Sequence, residues 1–156
     1  MSSIYTKRLT KELKDLNKNP PEGVEVEEAD NFKKWKLRLT GAPGTIYEGE
    51  EFKLEFRFTP QYPLEAPDVV FIKPFVPIHP QPLYIYSNGH ICLNILYKDW
   101  SPVQTVAHVC LSIISMISSC TKKELPPDND LYIKGASNSP KKTVWAFQDV
   151  LGVKLV

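Results

Sequence analysis

Two short runs decide the fold: Trp35-Lys36-Leu37-Arg38-Leu39 and Phe52-Lys53-Leu54-Glu55-Phe56-Arg57-Phe58. In each, an apolar side chain occupies every second position. A period of two places all the apolar groups on one face of a strand and the charges on the other. That is the pattern of antiparallel strands with one face buried and one in water. The segment from Gly41 to Gly49 supplies the turn between them. Val69-Val70-Phe71-Ile72 reads as a further strand, and Val24 to Glu28 as a weaker one. The expectation is a meander of about four strands. Trp35, Phe52, Phe56 and Phe58 then belong to its core.

Helices flank the meander. Leu9, Leu13 and Leu16 fall at i, i+4 and i+7 within residues 4–17, with Lys7, Arg8, Lys11, Glu12 and Lys14 on the other faces. Asn19-Pro20-Pro21 stops that helix. A second, longer helix is expected from Ser101 to near Cys120. Ser101 is placed as N-cap, Pro102 at the first position and Gln104 in a capping box. Its buried stripe would be Val106, Val109, Cys110, Ile113, Ile114 and Ile117. Lys122 and Lys123 suit its C-terminal dipole. Residues 74–100 and 124–138 show no regular period and read as irregular chain. Loops that long inside a compact domain are usually functional. A last helix is expected from Ser139-Pro140, although Lys141 and Lys142 in its first turn oppose the dipole.

The bulk composition bounds the function. The 156 residues suit one domain, are 42% hydrophobic and 24% charged, and carry a net charge of +1. That balance excludes wholesale disorder and offers no field for nucleic acid or anionic lipid. No apolar run reaches the ~18 residues of a membrane helix, and no signal peptide is visible behind Lys7-Arg8. The fourteen prolines are unusual, seven of them between Pro60 and Pro82. Such a stretch is neither helix nor central strand.

Phosphate loops, metal helices and nucleophile elbows are all missing from the sequence. Gly41-Ala42-Pro43-Gly44 opens no helix and reads as a turn. His79, His90 and His108 are too scattered for a metal cluster, so no metal is expected. The three cysteines, at 92, 110 and 120, form neither a disulfide framework nor a zinc pattern. With no export signal, a reducing compartment, cytosol or nucleus, is expected. Cys110 lies on the apolar stripe of its helix and reads as a small buried hydrophobe. Cys120 stands at a helix end beside a lysine pair, exposed and mildly activated or simply structural. Cys92 is placed in irregular chain after an Asn-Gly turn, where reactive groups tend to sit. His90, two residues away, would share its face in extended chain. It either polarises the thiol or is solvated, and the second reading is preferred. A thiol with pKa near ~8.5 is a few per cent thiolate at pH 7. That suffices for exchange with an activated thioester but is poor for cleaving a peptide bond.

Several motifs resemble one family. His79-Pro80, then Tyr86-Ser87-Asn88-Gly89-His90-Ile91-Cys92-Leu93-Asn94-Ile95-Leu96, then Trp100-Ser101-Pro102, resemble the active-site signature of ubiquitin-conjugating enzymes. Gly41-Ala42-Pro43-Gly44-Thr45-Ile46-Tyr47-Glu48-Gly49 and Tyr62-Pro63-Leu64-Glu65-Ala66-Pro67 match in order as well. The resemblance covers residues 4 to about 134. Within the family it is most similar to the W type, through 110–120, Pro126-Pro127-Asp128-Asn129, Asn138-Ser139-Pro140-Lys141-Lys142-Thr143 and His90.

The resemblance implies an α+β ubiquitin-conjugating fold: a four-stranded antiparallel meander, an N-terminal helix, a long central helix and a variable C-terminal segment. Residues 1–156 would be one catalytic domain, with 135–156 atypical and partly ordered. The alternative for that segment is an amphipathic helix that docks Val144, Phe147, Val150 and Leu151. Cys92 is implied as the thioester nucleophile. Support would come from His79, Gln81, Tyr84, His90, Asn94, Asp128 and Asn129. Lys7, Arg8, Lys11, Leu64 and Pro102 match the surface for ligases and the activating enzyme. Ser112 and Ile113 match the helix that a donor ubiquitin touches. Trp145 lies where the W type admits flexible N-termini, and Trp100 would pack under the active-site loop. The implied partners are ubiquitin, the activating enzyme, RING or U-box ligases and substrates with flexible N-termini, with weak self-association left open. ATP is consumed upstream and no cofactor is expected. The alternatives are conventional lysine-directed conjugation, another ubiquitin-like modifier, or a non-catalytic binding module on the same fold.

The pattern departs from the family twice. The family's usual Asn after His-Pro stands eight residues before the cysteine. Here Gln81 follows Pro80 but stands 11 before Cys92, and Tyr84 holds the eight-residue spacing. The chain therefore carries three extra residues there. Second, Asn129 takes the place of an acidic residue in many lysine-directed members, with Asp128 and Asp130 beside it. Lysine, pKa ~10.4, is almost wholly protonated at pH 7, whereas an α-amine is near ~7.8, a few-hundredfold larger neutral fraction. A site without a carboxylate would still work on N-termini.

Overall fold

A computed structural model describes residues 3–78, 85–142, 147–148 and 154–155 of the chain. Its centre is an antiparallel sheet in the order β1-β2-β3-β4, formed by Val24–Glu28, Lys34–Thr40, Glu51–Arg57 and Asp68–Phe71. The alternation read from the sequence sets the register. Trp35 faces Phe56, Leu37 faces Leu54 and Leu39 faces Phe52, all buried. Each such side chain contributes about 1.5–3 kcal/mol through its burial. The charged partners lie on the opposite face, where Arg38 pairs with Glu25, and Lys53 with Glu27 at 3.5 Å. These exposed ion pairs add little each, and mainly keep that face wet.

Two helices close the inner face. α1 spans Ile4–Lys18, one residue beyond the expected end, and Ser3 caps it by accepting from the Thr6 N–H at 3.1 Å. Leu9 and Leu16 are buried as expected, but so is Glu12, which the sequence placed on an outer face. α2 spans Val106–Ser118. The expected start at Ser101 is corrected: Thr105 is the N-cap and accepts from the His108 N–H at 3.1 Å. Ser101 instead opens a turn, its carbonyl accepting from Gln104 N–H at 3.0 Å. Val106, Val109, Cys110, Ile113 and Ile117 are buried on α2, while Ile114 is only half-buried. Cys120 is buried, not exposed, among the main core residues.

The segment 124–138 is not wholly irregular. It contains α3, Asn129–Gly135, a seven-residue helix whose only buried residue is Asn129. Where a helix was expected from Ser139, the described residues form a 3-10 turn at Pro140–Lys142. Further on, Phe147–Gln148 pairs with Lys154–Leu155 as a small antiparallel ladder, so an amphipathic helix through Phe147 does not form. Val144, Trp145, Val150 and Leu151 lie outside the described residues. No helix among the described residues is long and apolar enough to cross a membrane.

Candidate active site

Cys92 follows a tight turn anchored on the sheet. Phe71 N–H donates to the Gly89 carbonyl at 2.8 Å, and Val70 bridges His90. Gly89 has φ +92°, and a Cβ there would stand 2.0 Å from the Phe71 carbonyl oxygen. Only glycine allows the turn to sit this close to β4. Tyr86 N–H donates to the His90 carbonyl at 3.0 Å and closes the turn's neck. After Cys92 the chain enters a 3-10 turn at Asn94–Leu96.

The cysteine stands in the irregular chain after the Asn-Gly turn, as expected from the sequence, and it is buried there. It is 4% exposed and packs with Tyr86, Tyr97, Tyr132 and Ile133 in a small cluster outside the main core. The cover arrives from α3, far along the chain. Ser87 N–H donates to Asn129 Oδ1 at 2.8 Å, and Asn129 Nδ2 donates to Ser87 Oγ at 2.9 Å. The Tyr86 hydroxyl donates to the Asp128 carboxylate at 3.2 Å, and the Tyr86 and Tyr132 rings stack with centroids 4.0 Å apart. Burial, with the Asp128 charge second, pushes the Cys92 thiol up to about 12. The resting thiol is therefore protonated at pH 7.

His90 is buried, contrary to the solvated reading. Its Nδ1 lies 2.7 Å from the Tyr132 hydroxyl. Burial, helped by the Arg57 charge, lowers its pKa, while Asp68 and the Asn138 backbone pull the other way. A neutral imidazole follows. Asn129, read as standing where many lysine-directed members have an acidic residue, is buried beside the active-site turn. Its side chain is spent on the Ser87 turn, and a carboxylate, Asp128, does act on Cys92. Asn94 is exposed and gives its amide to Asp99 at 2.7 Å. His79, Gln81, Tyr84 and Trp145 lie outside the described residues. Tyr86 stood in the quoted motif without a role. Tyr132, Ile133 and Tyr97 carried no signal, because their part depends on contacts far along the chain.

The expected partner surfaces are only partly assembled. Leu64 is 75% exposed, and Pro102 is exposed with Val103 beside it. Trp100 Nε1 donates to the Pro63 carbonyl at 2.9 Å, and its ring lies 6.0 Å from that of Tyr62, so Trp100 packs against the 62–64 loop. Lys7 and Lys11 are exposed, Lys11 in an ion pair with Asp15. Arg8 turns inward to Glu12 at 2.8 Å and to the Gln104 carbonyl at 2.7 Å, so it braces the fold and presents little to a partner. Ile113 is fully buried and cannot touch another protein; on α2 the exposed apolar residue is Leu111, with Ser112 half-buried beside it. No group of three or more His, Cys, Asp or Glu suited to a metal occurs among the described residues.

The ubiquitin-conjugating enzyme family model matches residues 8–147. A probable ubiquitin-conjugating enzyme E2 W of Dictyostelium discoideum is 53% identical over 150 residues, 96% of this chain and 98% of that protein. A ubiquitin-conjugating enzyme E2 W of Caenorhabditis elegans is 47% identical, covering 96% and 98%. The crystal structure of the enzyme UbcA1 from Agrocybe aegerita superposes with a TM-score of 0.84 at 40% identity, over 90% of this chain and all of that one. With its meander, its two flanking helices and a thiol on the turn beside β4, the chain belongs to the ubiquitin-conjugating enzymes, in their W type, a family of ubiquitin transferases that work through a thioester.

Proposed function

We propose that Cys92 is the residue that carries ubiquitin, and that the charged enzyme hands it preferentially to the α-amino group of flexible N-termini. The observation that carries the first part is the placement of the three thiols. Cys110 and Cys120 lie in the main core, whereas Cys92 lies in a separate cluster on the turn beside β4. In the first step the Cys92 thiolate attacks the carbonyl carbon of the incoming ubiquitin thioester. A new C–S bond forms, the old one breaks, and the activating enzyme's thiol leaves. In the second step a neutral amine attacks the same carbon, loses a proton and expels the Cys92 thiolate. No cofactor enters either step.

The acceptor preference rests on proton arithmetic. The Asp128 carboxylate already accepts from Tyr86, and Asn129 is uncharged and occupied by Ser87. Neither is free to take a proton from lysine. An α-amine is neutral in a few-hundredfold larger fraction at pH 7. The partners are ubiquitin, its activating enzyme and ligases, as for the family, with flexible N-termini as substrates. The three free thiols suit a reducing compartment, cytosol or nucleus.

The test is single-turnover discharge of the charged enzyme to three peptides. One is lysine-free with a free N-terminus, one is its Nα-acetylated twin, and one is Nα-acetylated with a single lysine. Discharge is expected to the first alone at pH 7. Equal discharge to the acetylated lysine peptide overturns the preference.

A further inference from the structure

We propose that α3 is a lid on Cys92, and that His90, Tyr132, Asn129 and Ser87 are positioning residues that hold it shut until the thiol must react. This rests on the assignment of Cys92 as the reacting thiol.

Three polar ties join the lid to the active-site turn at one fixed offset. Asp128 meets Tyr86, Asn129 meets Ser87, and Tyr132 meets His90, each pair 42 residues apart. The turn and the helix are thus zipped in register. Tyr132 and Ile133 pack on the Tyr86–Cys92 cluster and leave the sulfur's residue 4% exposed. A ubiquitin C-terminus cannot reach a sulfur so covered.

What holds the lid is not core packing. α3 buries Asn129 alone, and Leu131 on the same helix is 77% exposed. An open cleft of about 350 Å³, lined in part by Arg57, Val70, His90, Ile133 and Asn138, runs beside the C-terminal end of the segment. A short helix with one buried polar residue opens at low cost compared with global unfolding. His90 is central because it faces both ends of the segment. Its Nδ1 lies 2.7 Å from the Tyr132 hydroxyl, and its ring lines the same cleft as Asn138 at the far end of the segment. Arg57 donates to the Asn138 carbonyl at 3.0 Å, and Ser139 donates to Asp68 at 2.9 Å. The chain beyond the lid is therefore pinned to the sheet while the lid itself is held by side chains.

The test is alkylation of the full chain with iodoacetamide under native conditions, with the three cysteine peptides followed separately by mass spectrometry. Cys110 and Cys120 are buried in the core and report global opening. In the unmodified protein Cys92 should label far more slowly than a free cysteine peptide. Tyr132→Phe keeps the ring stack and removes one hydroxyl. It should speed Cys92 labelling about threefold to tenfold, the range one neutral hydrogen bond supports, with Cys110 and Cys120 unchanged. Ser87→Ala should act the same way, and the pair should multiply. Cys92 labelling at the free-peptide rate in the unmodified protein overturns the lid. So does an unchanged Cys92 rate in both variants, or a rise of all three cysteines together. Labelling needs no ubiquitin, so failure of charging with selective labelling intact would strike the role of Cys92 and leave the lid standing.

Discussion

Glu12 of α1 accepts the backbone N–H of Val106, the first residue of α2, at 2.7 Å. Its other oxygen takes the Tyr62 hydroxyl at 2.5 Å and Arg8 Nε at 2.8 Å. One buried carboxylate thus ties both helices to the Tyr62–Pro63 loop and satisfies an otherwise orphaned helix N–H. Glu12→Ala leaves the Val106 N–H and the Tyr62 hydroxyl unpaired. The expected cost is about 3 kcal/mol in urea unfolding. A loss under about 1 kcal/mol would contradict the role.

The raised thiols make stability fall in alkali. Unfolded, each thiol titrates near about 8.5; folded, Cys92 and Cys110 are both pushed up to about 12 by burial. Between those values the unfolded chain holds fewer protons, so higher pH favours unfolding. Each thiol contributes a slope of about −1.4 kcal/mol per pH unit above about pH 9, and nothing below about pH 8. Cys92→Ser should flatten the decline by one thiol's share. Urea midpoints from pH 7 to 10.5 measure it, and parallel curves would count against the buried protonated thiol.

Gly89→Ala meets the Phe71 carbonyl in a backbone region that L-residues avoid. The expected loss is about 3 kcal/mol or more, with charging lost as the turn leaves β4. Wild-type thermal stability in this variant would show that the turn is not pinned there.

Leu64 and Val103 are 75% and 76% exposed, on loops joined through Trp100 and Pro63. Leu64→Ala should leave stability within about 0.5 kcal/mol while it slows ligase-stimulated discharge about tenfold, the loss expected of an interface anchor. Unaltered stimulation across several RING and U-box ligases would remove this surface from the account.

Asp128 acts on both Cys92 and Tyr86. Asp128→Asn removes the charge that, after burial, raises the thiol. Cys92 should then alkylate faster at fixed pH, with the ratio of lysine to α-amine transfer unchanged. An unchanged alkylation rate, or a shift in that ratio, would contradict this role of Asp128.

The sheet was legible because Trp35 to Leu39 and Phe52 to Phe58 carry a period that only a one-sided strand satisfies. The start of α2 was not. Ser101-Pro102 with Gln104 has the composition of a cap, yet that N–H bond closes a turn, and Thr105 takes the helix. α3 was missed because seven residues with one buried side chain leave no apolar period. Cys92 could be named from its motif, but its burial could not, since the cover comes from Tyr132 and Ile133, far along the chain on α3. For the same reason the sequence read His90 as solvated, whereas the period of α2 placed Ile113 on the buried stripe and only the resemblance made it a contact.

The most direct test is a charging reaction with ubiquitin, activating enzyme and ATP, resolved on gels with and without reductant. The unmodified chain, Cys110→Ser and Cys120→Ser should each form one reductant-labile ubiquitin adduct, and Cys92→Ala none. A reductant-labile adduct that survives in Cys92→Ala, or its absence from the folded unmodified chain, would contradict the account.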